Sequence, residues 1–343
     1  MKKVLLTLCV AGLVAMTACK KDDPEPNNNP SGPEQPVVID GDGVFMPAMK
    51  IAQVHVDGEL NEEWEWDNDG LLSSIMKVDE YGNMMDAGSF TYQNSRLHQA
   101  NSTIQGIPVT IAYDYRSKWL ALLSANSGFT QVLTAAVDHN ADNKITHLTF
   151  DVNSDLLAML SGFLGGGGFF KATKEAGRKV AVNSTDISID MDWVGDNVSQ
   201  QRLSADVDGS VTLGELRTLM NLDSMLGPMG AIILATIPDT TSFPVQISIR
   251  DTISMTYDNH PNPFCGFIGS LENLSLSANN VVTSTTAIAA SATITFLSFQ
   301  LPFPLPIPIE SGTVNYDYTY NPQGFPLTRT DDEGTVTQYT YLQ

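Results

Sequence analysis

The sequence predicts a mainly β fold: an antiparallel hairpin meander forming a large curled sheet, half-barrel or barrel, with one or two short helices from the middle of the chain. Three observations carry this. A strand–turn–strand pattern recurs along the chain. Alternating Tyr, Phe, Trp, Thr and Val mark the strands. Asn, Asp and Gly stand where the chain must reverse. Of 343 residues, 42% are hydrophobic and 17% charged, which excludes a disordered chain and leaves apolar material for a sizeable core.

The elements follow in order. Trp64 to Leu72 gives alternating aromatics, a four-residue Asp-Asn-Asp-Gly turn signal, then an apolar run. The pattern returns at Phe90–Leu97, Ile111–Leu123 and Ala135–Val152, and twice in the tail, at Tyr316–Thr330 and Asp331–Leu342. Two stretches break the rule: Asp155–Phe170 is too apolar and Gly-broken for a solvent-facing hairpin. Thr212–Thr236 sets Leu213, Leu216, Leu219 and Met220 at helical spacing. Short helices are predicted in both. Asn279–Ile309 ends in LPFPLPIPI, whose prolines exclude a membrane-spanning helix and suit strands running into an extended edge segment.

The first residues read as an address. Lys2 and Lys3, the apolar run Val4–Val14 and the small residues Thr17 and Ala18 make a leader over 1–18. Met16-Thr17-Ala18-Cys19 resembles a bacterial lipobox, which implies a mature chain anchored by a diacylglyceryl group on Cys19. Residues 19–44 are acidic and rich in Pro and Asn, a composition for a flexible tether; 45–343 forms the single β-rich domain. With Cys9 lost and Cys19 lipidated, Cys265 stands alone, so packing rather than an intrachain disulfide holds the domain. Eighteen Lys+Arg against 39 Asp+Glu give a net charge of −21, which argues against nucleic acid and anionic lipid headgroups as partners.

The segment Cys19-Lys20-Lys21-Asp22-Asp23 resembles the export signal of surface-exposed Bacteroidetes lipoproteins, implying lipoprotein export machinery as a partner. It favours the outer face of the outer membrane, with the periplasmic face as the alternative. Thr256–Phe267 (TYDNHPNPFCGF), Leu274–Val281 (LSLSANNV) and the tail segments Tyr318–Pro326 and Tyr339–Leu342 are similar to a family of Bacteroidetes hairpin-repeat lipoproteins of unknown function. Its fold is described as porin-like. The hairpins also resemble YD repeats, without their regular spacing. The resemblance implies fold and location; it adds no chemistry.

Catalytic signatures are missing: neither Gly-x-Ser-x-Gly nor His-Glu-x-x-His occurs. No catalytic residue is assigned, and no cofactor is expected beyond calcium. His139 and His147 are placed to face one another across a hairpin as two metal ligands, or to be ordinary strand histidines. Ser74-x-x-Lys77 matches an acyl-enzyme pair without its companion Lys-Thr-Gly. Ser204, Asp206, Asp208, Ser210, Thr212 and Glu215 stand at the ligand positions of a calcium loop, with Gly209 at the sharp turn. The competing reading is a hairpin with Asp208-Gly209 as its type I′ turn. Asp138, Asn140 and Asp142 begin a weaker imitation.

Trp64 and Trp66 share a strand face and, if exposed, could stack on sugar rings. Leu156, Met159, Leu160, Phe163, Met220, Met225 and Met229 form a candidate hydrophobic pocket wall, or else complete the core. Asp223–Met225, Asp239–Thr241 and Asp251–Ile253 match a glycosylation acceptor pattern. Three functions follow as expectations. The first is a non-enzymatic, lipid-anchored binding or envelope-structural module. The second is a carrier of a hydrophobic ligand in a half-barrel closed by Met/Leu-rich helices. The third is an extracellular glycan-active or glycan-binding protein.

Overall fold

The structure, a computed structural model, describes residues 42–79, 81–104, 107–152, 181–220, 235–269, 275–296, 299–302 and 311–342. In chain order the strands are β1 (Ile51–Val56), β2 (Glu59–Trp66), β3 (Leu72–Val78), β4 (Met84–Gln93), β5 (Arg96–Ile104) and β6 (Ile107–Arg116). Then come β7 (Trp119–Ser127), β8 (Thr130–His139), β9 (Ile145–Val152), β10 (Ala181–Val194) and β11 (Asn197–Thr212). The chain continues through helix α1 (Leu213–Met220), β12 (Ser242–Pro261), β13 (Asn279–Phe296), β14 (Phe299–Pro302), β15 (Gly312–Tyr320), β16 (Pro326–Asp331) and β17 (Val336–Tyr341).

Apart from the short β14, each strand pairs antiparallel with the next around the ring, and β17 pairs back onto β1. The sheet therefore closes on itself as a 16-strand antiparallel barrel. Strand β14 shares one edge of β13 with β15: Thr293–Phe296 pair with the first, Thr283–Thr286 with the second. Closure pairs the first strand with the last and so removes the two terminal edges that an open sheet of these strands would present.

One turn chemistry recurs. Asp67, Asp79, Asn140, Asn321 and Asp331 each accept two backbone N–H bonds on the side-chain oxygen, from the residues two and four positions on, at 2.8–3.0 Å. The residue three positions on is left-handed in every case: Gly70, Gly82, Asn143, Gly324 and Gly334. This is a type I turn followed by a bulge residue, where Gly or Asn escapes the Cβ clash. Asp57-Gly58 and Asn94-Ser95 make the tighter two-residue reversals, with positive φ at both positions.

A single segment shows which face is inside. Phe264–Ile268, in the β12–β13 connection, touches side chains from distant strands: Trp64 of β2, Phe90 of β4, Tyr113 of β6 and Tyr339 of β17. Strands so far apart around a closed wall can meet one segment only from within. The inward face is apolar: Val109, Ile111 and Tyr113 on β6, Ile189 and Met191 on β10. A second apolar cluster forms where β11–β13 run on past β9; Val211, Phe243, Val245 and Ile294 pack there against Leu213 and Leu216 of α1. Of the helix expected at 212–236, the described parts are Leu213–Met220 and the helical residue Ala235. The one expected near 155–170 lies outside the described residues, as does the edge segment 303–310.

Candidate functional site

The Asn/Pro-rich stretch singled out in the sequence builds the seal at one end of the barrel. Asp258 accepts the backbone N–H groups of His260 and Asn280 at 2.9 and 3.1 Å, and the Tyr320 hydroxyl donates to its other oxygen. Burial, reinforced by that contact, pushes the Tyr320 phenol above its ordinary range. The His260 ring stacks on Tyr320 with centroids 3.8 Å apart. Asn262 donates to Ser275 and to the Ser277 carbonyl, and Asn279 to the His260 carbonyl. These bonds turn the chain into the lumen, where Phe267 sits 5.1–5.8 Å from the rings of Phe45, Trp64 and Phe90. Phe45 arrives from the N-terminal side, where the Gly43 carbonyl accepts from Leu97. Gly43 has φ +74°, and a Cβ there would lie 1.9 Å from the Tyr115 hydroxyl. Asp–Asn–Pro chemistry here is a buckle for the plug.

The outer wall is polar. On adjacent strands it carries Asp186, Ser188, Asp190 and Asp192, then Arg202, Ser204, Asp206 and Asp208, then Gln246, Ser248, Arg250 and Thr252. Cross-strand bonds knit these rows. Arg202 pairs with Asp192, Arg250 with Asp206 at 2.7 Å, and Gln200 donates to Ser254 at 3.1 Å. The two arginines hold the Asp192 and Asp206 carboxyls below the usual range. Thr110 bonds Asn101, and Thr319 bonds Thr328, elsewhere on the same face. A charged Arg on a lipid-facing barrel wall costs about 2–4 kcal/mol at mid-bilayer. These three strands carry the opposite of the apolar pattern such a wall needs.

The inward rows of β12 hold one anomaly. Val245, Ile247, Ile249, Asp251, Ile253 and Met255 share a face, and Asp251 alone among them is charged. It is 6% exposed, and among the described residues its Oδ1 has no hydrogen-bond partner. Burial, unopposed by a cation, pushes its carboxyl up to about 6.

Several expected sites are not assembled. Ser204, Asp206, Asp208, Ser210 and Thr212 lie along strand β11, and Glu215 lies beyond it in α1. An extended strand carries Ser204 and Thr212 about 26 Å apart, whereas calcium needs its oxygens around one point. No type I′ turn forms at Asp208-Gly209 either, since Gly209 is paired on both sides. Trp64 is 6% exposed and packs on Phe264 and Phe267; the half-buried Trp66 donates to the Ile51 carbonyl at 2.7 Å. Trp64 thus faces the plug, while Trp66 packs beside Phe45 and under Lys50.

His147 pairs with Asp138 across the hairpin and bonds Asp190 at 2.8 Å on the outer face. His139 is opposite Ile145, beyond a bulge, beside Trp119, with its Nε2 unpartnered; burial lowers its pKa. The two do not converge. Ser74 and Lys77 point to opposite faces of β3, as an i, i+3 pair in a strand must. Thr252 of the Asp251–Ile253 acceptor match is ladder-paired in mid-strand. Cys19, Leu156, Met159, Leu160, Phe163, Met225 and Met229 lie outside the described residues; Met220 ends α1.

Fold and surface thus define a closed β-barrel with a segment packed inside it and a polar outer face on β10–β12. No protein-family model and no curated protein matches the chain. Among solved structures it is similar to a porin-like protein from Bacteroides uniformis, with 9% identity and a TM-score of 0.36, covering 85% of this chain and 98% of that one. Likeness at that level carries no shared mechanism.

Proposed function

We propose that the protein is a lipid-anchored envelope module: a barrel standing in water, tethered to the outer membrane through a diacylglyceryl group on Cys19, that works by binding rather than by conducting. The observation that carries this is the polar outer wall, with Asp186, Asp190, Asp192, Arg202, Asp206, Asp208 and Arg250 on three adjacent strands. A conducting porin inverts this pattern, with an apolar exterior and a polar lumen. Here the lumen holds the apolar core, and Phe264–Ile268 fills one end of it.

The leader, the lipobox at Met16–Cys19 and the acidic residues after it supply the address, on the cell surface in the manner of Bacteroidetes lipoproteins. Export by lipoprotein machinery follows from that address. The glycan reading is weakened, since Trp64 belongs to the core and Trp66 is half-buried with its indole N–H held by the Ile51 carbonyl. The test is fractionation of cells expressing Cys19→Ser. The protein is expected to leave the membrane fraction and become extractable without detergent. Retention in the membrane as an integral protein would overturn the reading.

A further inference from the structure

Among the described residues the two apolar clusters do not meet. Along β11 the first ends at Leu203 and the second begins at Val211, about 26 Å further on. Between them Val207, Ile249, Ile288 and Ala290 face inward and keep part of their surface uncovered. At the border of this strip stands Asp251, opposite Leu203 on one side and Ile288 on the other. Its diagonal neighbours, Gln201 and Ala205 on β11, Thr286 and Ala290 on β13, carry no charge, and Arg250 turns outward to Asp206. A carboxylate nine-tenths buried with an unpartnered oxygen is costly in a fold that could have used Ile there. Such a group, beside uncovered apolar surface, has the makings of a ligand contact.

We propose that this strip binds an amphipathic molecule with an apolar body and a protonated amine head, the amine held by Asp251. A carboxylate is acceptor-only. A cationic donor satisfies both its charge and its lone pairs with one contact, whereas a neutral hydroxyl satisfies the second alone and a fatty acid is repelled. The partly exposed side chains of Val207, Ile249, Ile288 and Ala290 take the apolar body. The inference rests on the barrel standing in water, since a lumen opening into lipid would fill with acyl chains.

The experiment uses the purified full chain carrying Cys19→Ser, titrated calorimetrically with dodecylamine, dodecanol and dodecanoate, each below its micelle threshold. Dodecylamine is expected to bind saturably, one per chain, and Asp251→Asn to weaken it about tenfold or more while leaving dodecanol unchanged. Asp206→Asn removes an equal charge from the outer wall and is expected to leave amine binding intact, which separates the site from general attraction to an acidic protein. Near-ultraviolet circular dichroism confirms that each variant keeps its packing. Absence of saturable amine binding, or equal weakening by the two substitutions, overturns the inference. A soluble chain without amine binding sinks this inference alone; a chain that stays folded only in detergent sinks the envelope reading with it.

Discussion

Replacing Asp251 by Asn should make the barrel more stable at neutral pH than it is with its own residue. The carboxyl is buried against Leu203 and Ile288 without a partner on Oδ1, and its folded-state pKa is near 6. The unfolded value is about 3.9. A raised folded pKa means that the fold favours the protonated form. Its contribution is fully present below pH ~4 and is lost as pH rises through 6. The gap of about two units corresponds to roughly 3 kcal/mol. Asn holds the same shape without charge and does not titrate. Wild type and Asp251→Asn compared by urea unfolding across pH 4–8 should therefore diverge in favour of the variant, chiefly between pH 4 and 6.5, by about 3 kcal/mol. For a chain of this size that is roughly 5 °C in Tm. Subtracting the two curves cancels acids that titrate the other way, such as Asp192 and Asp206, whose contributions fade as pH falls below their unfolded values. A difference that stays flat with pH, or grows toward acid, would refute the claim that Asp251 is an unpaired buried acid.

Other outcomes follow from the plug and the wall. Phe267→Ala removes the ring shared by Phe45, Trp64 and Phe90 and should cost about 3–5 kcal/mol by urea unfolding; a loss under 1 kcal/mol would place the plug outside the core. Asp258→Ala strips the acceptor from the backbone N–H groups of His260 and Asn280 and should cost about 1–3 kcal/mol, a change readable as faster amide exchange at those two sites. Asp192→Asn breaks an exposed pair with Arg202 and should cost under about 1 kcal/mol. Trp64 emission should be blue-shifted and shielded from iodide, since the ring is 6% exposed.

Much of the fold was legible because hairpins are local. The alternation of Ile111, Tyr113 and Tyr115 against Ala112, Asp114 and Arg116 states the two faces of β6 outright. The Asp67–Gly70 and Asn321–Gly324 turns are written in their residue types. Closure was not legible, because the bond between β1 and β17 joins residues nearly three hundred positions apart and leaves no local mark. The calcium loop misled for a physical reason: oxygen residues at every second position satisfy a loop template and equally form the wet face of a strand. Trp64 misled because the plug that covers it comes from Phe264–Ile268, some two hundred residues away. Asp251 did leave a trace, as the one acid in an alternating apolar row from Val245 to Met255.

The central claim, that the barrel faces water, is tested most directly by sedimentation of the full chain carrying Cys19→Ser in detergent-free buffer, with far-ultraviolet circular dichroism on the same sample. A folded, β-rich species of sharp sedimentation that binds no added detergent belt is the predicted result. Aggregation without detergent, with folding recovered in micelles that coat the wall at Asp190, Arg202 and Arg250, would contradict it.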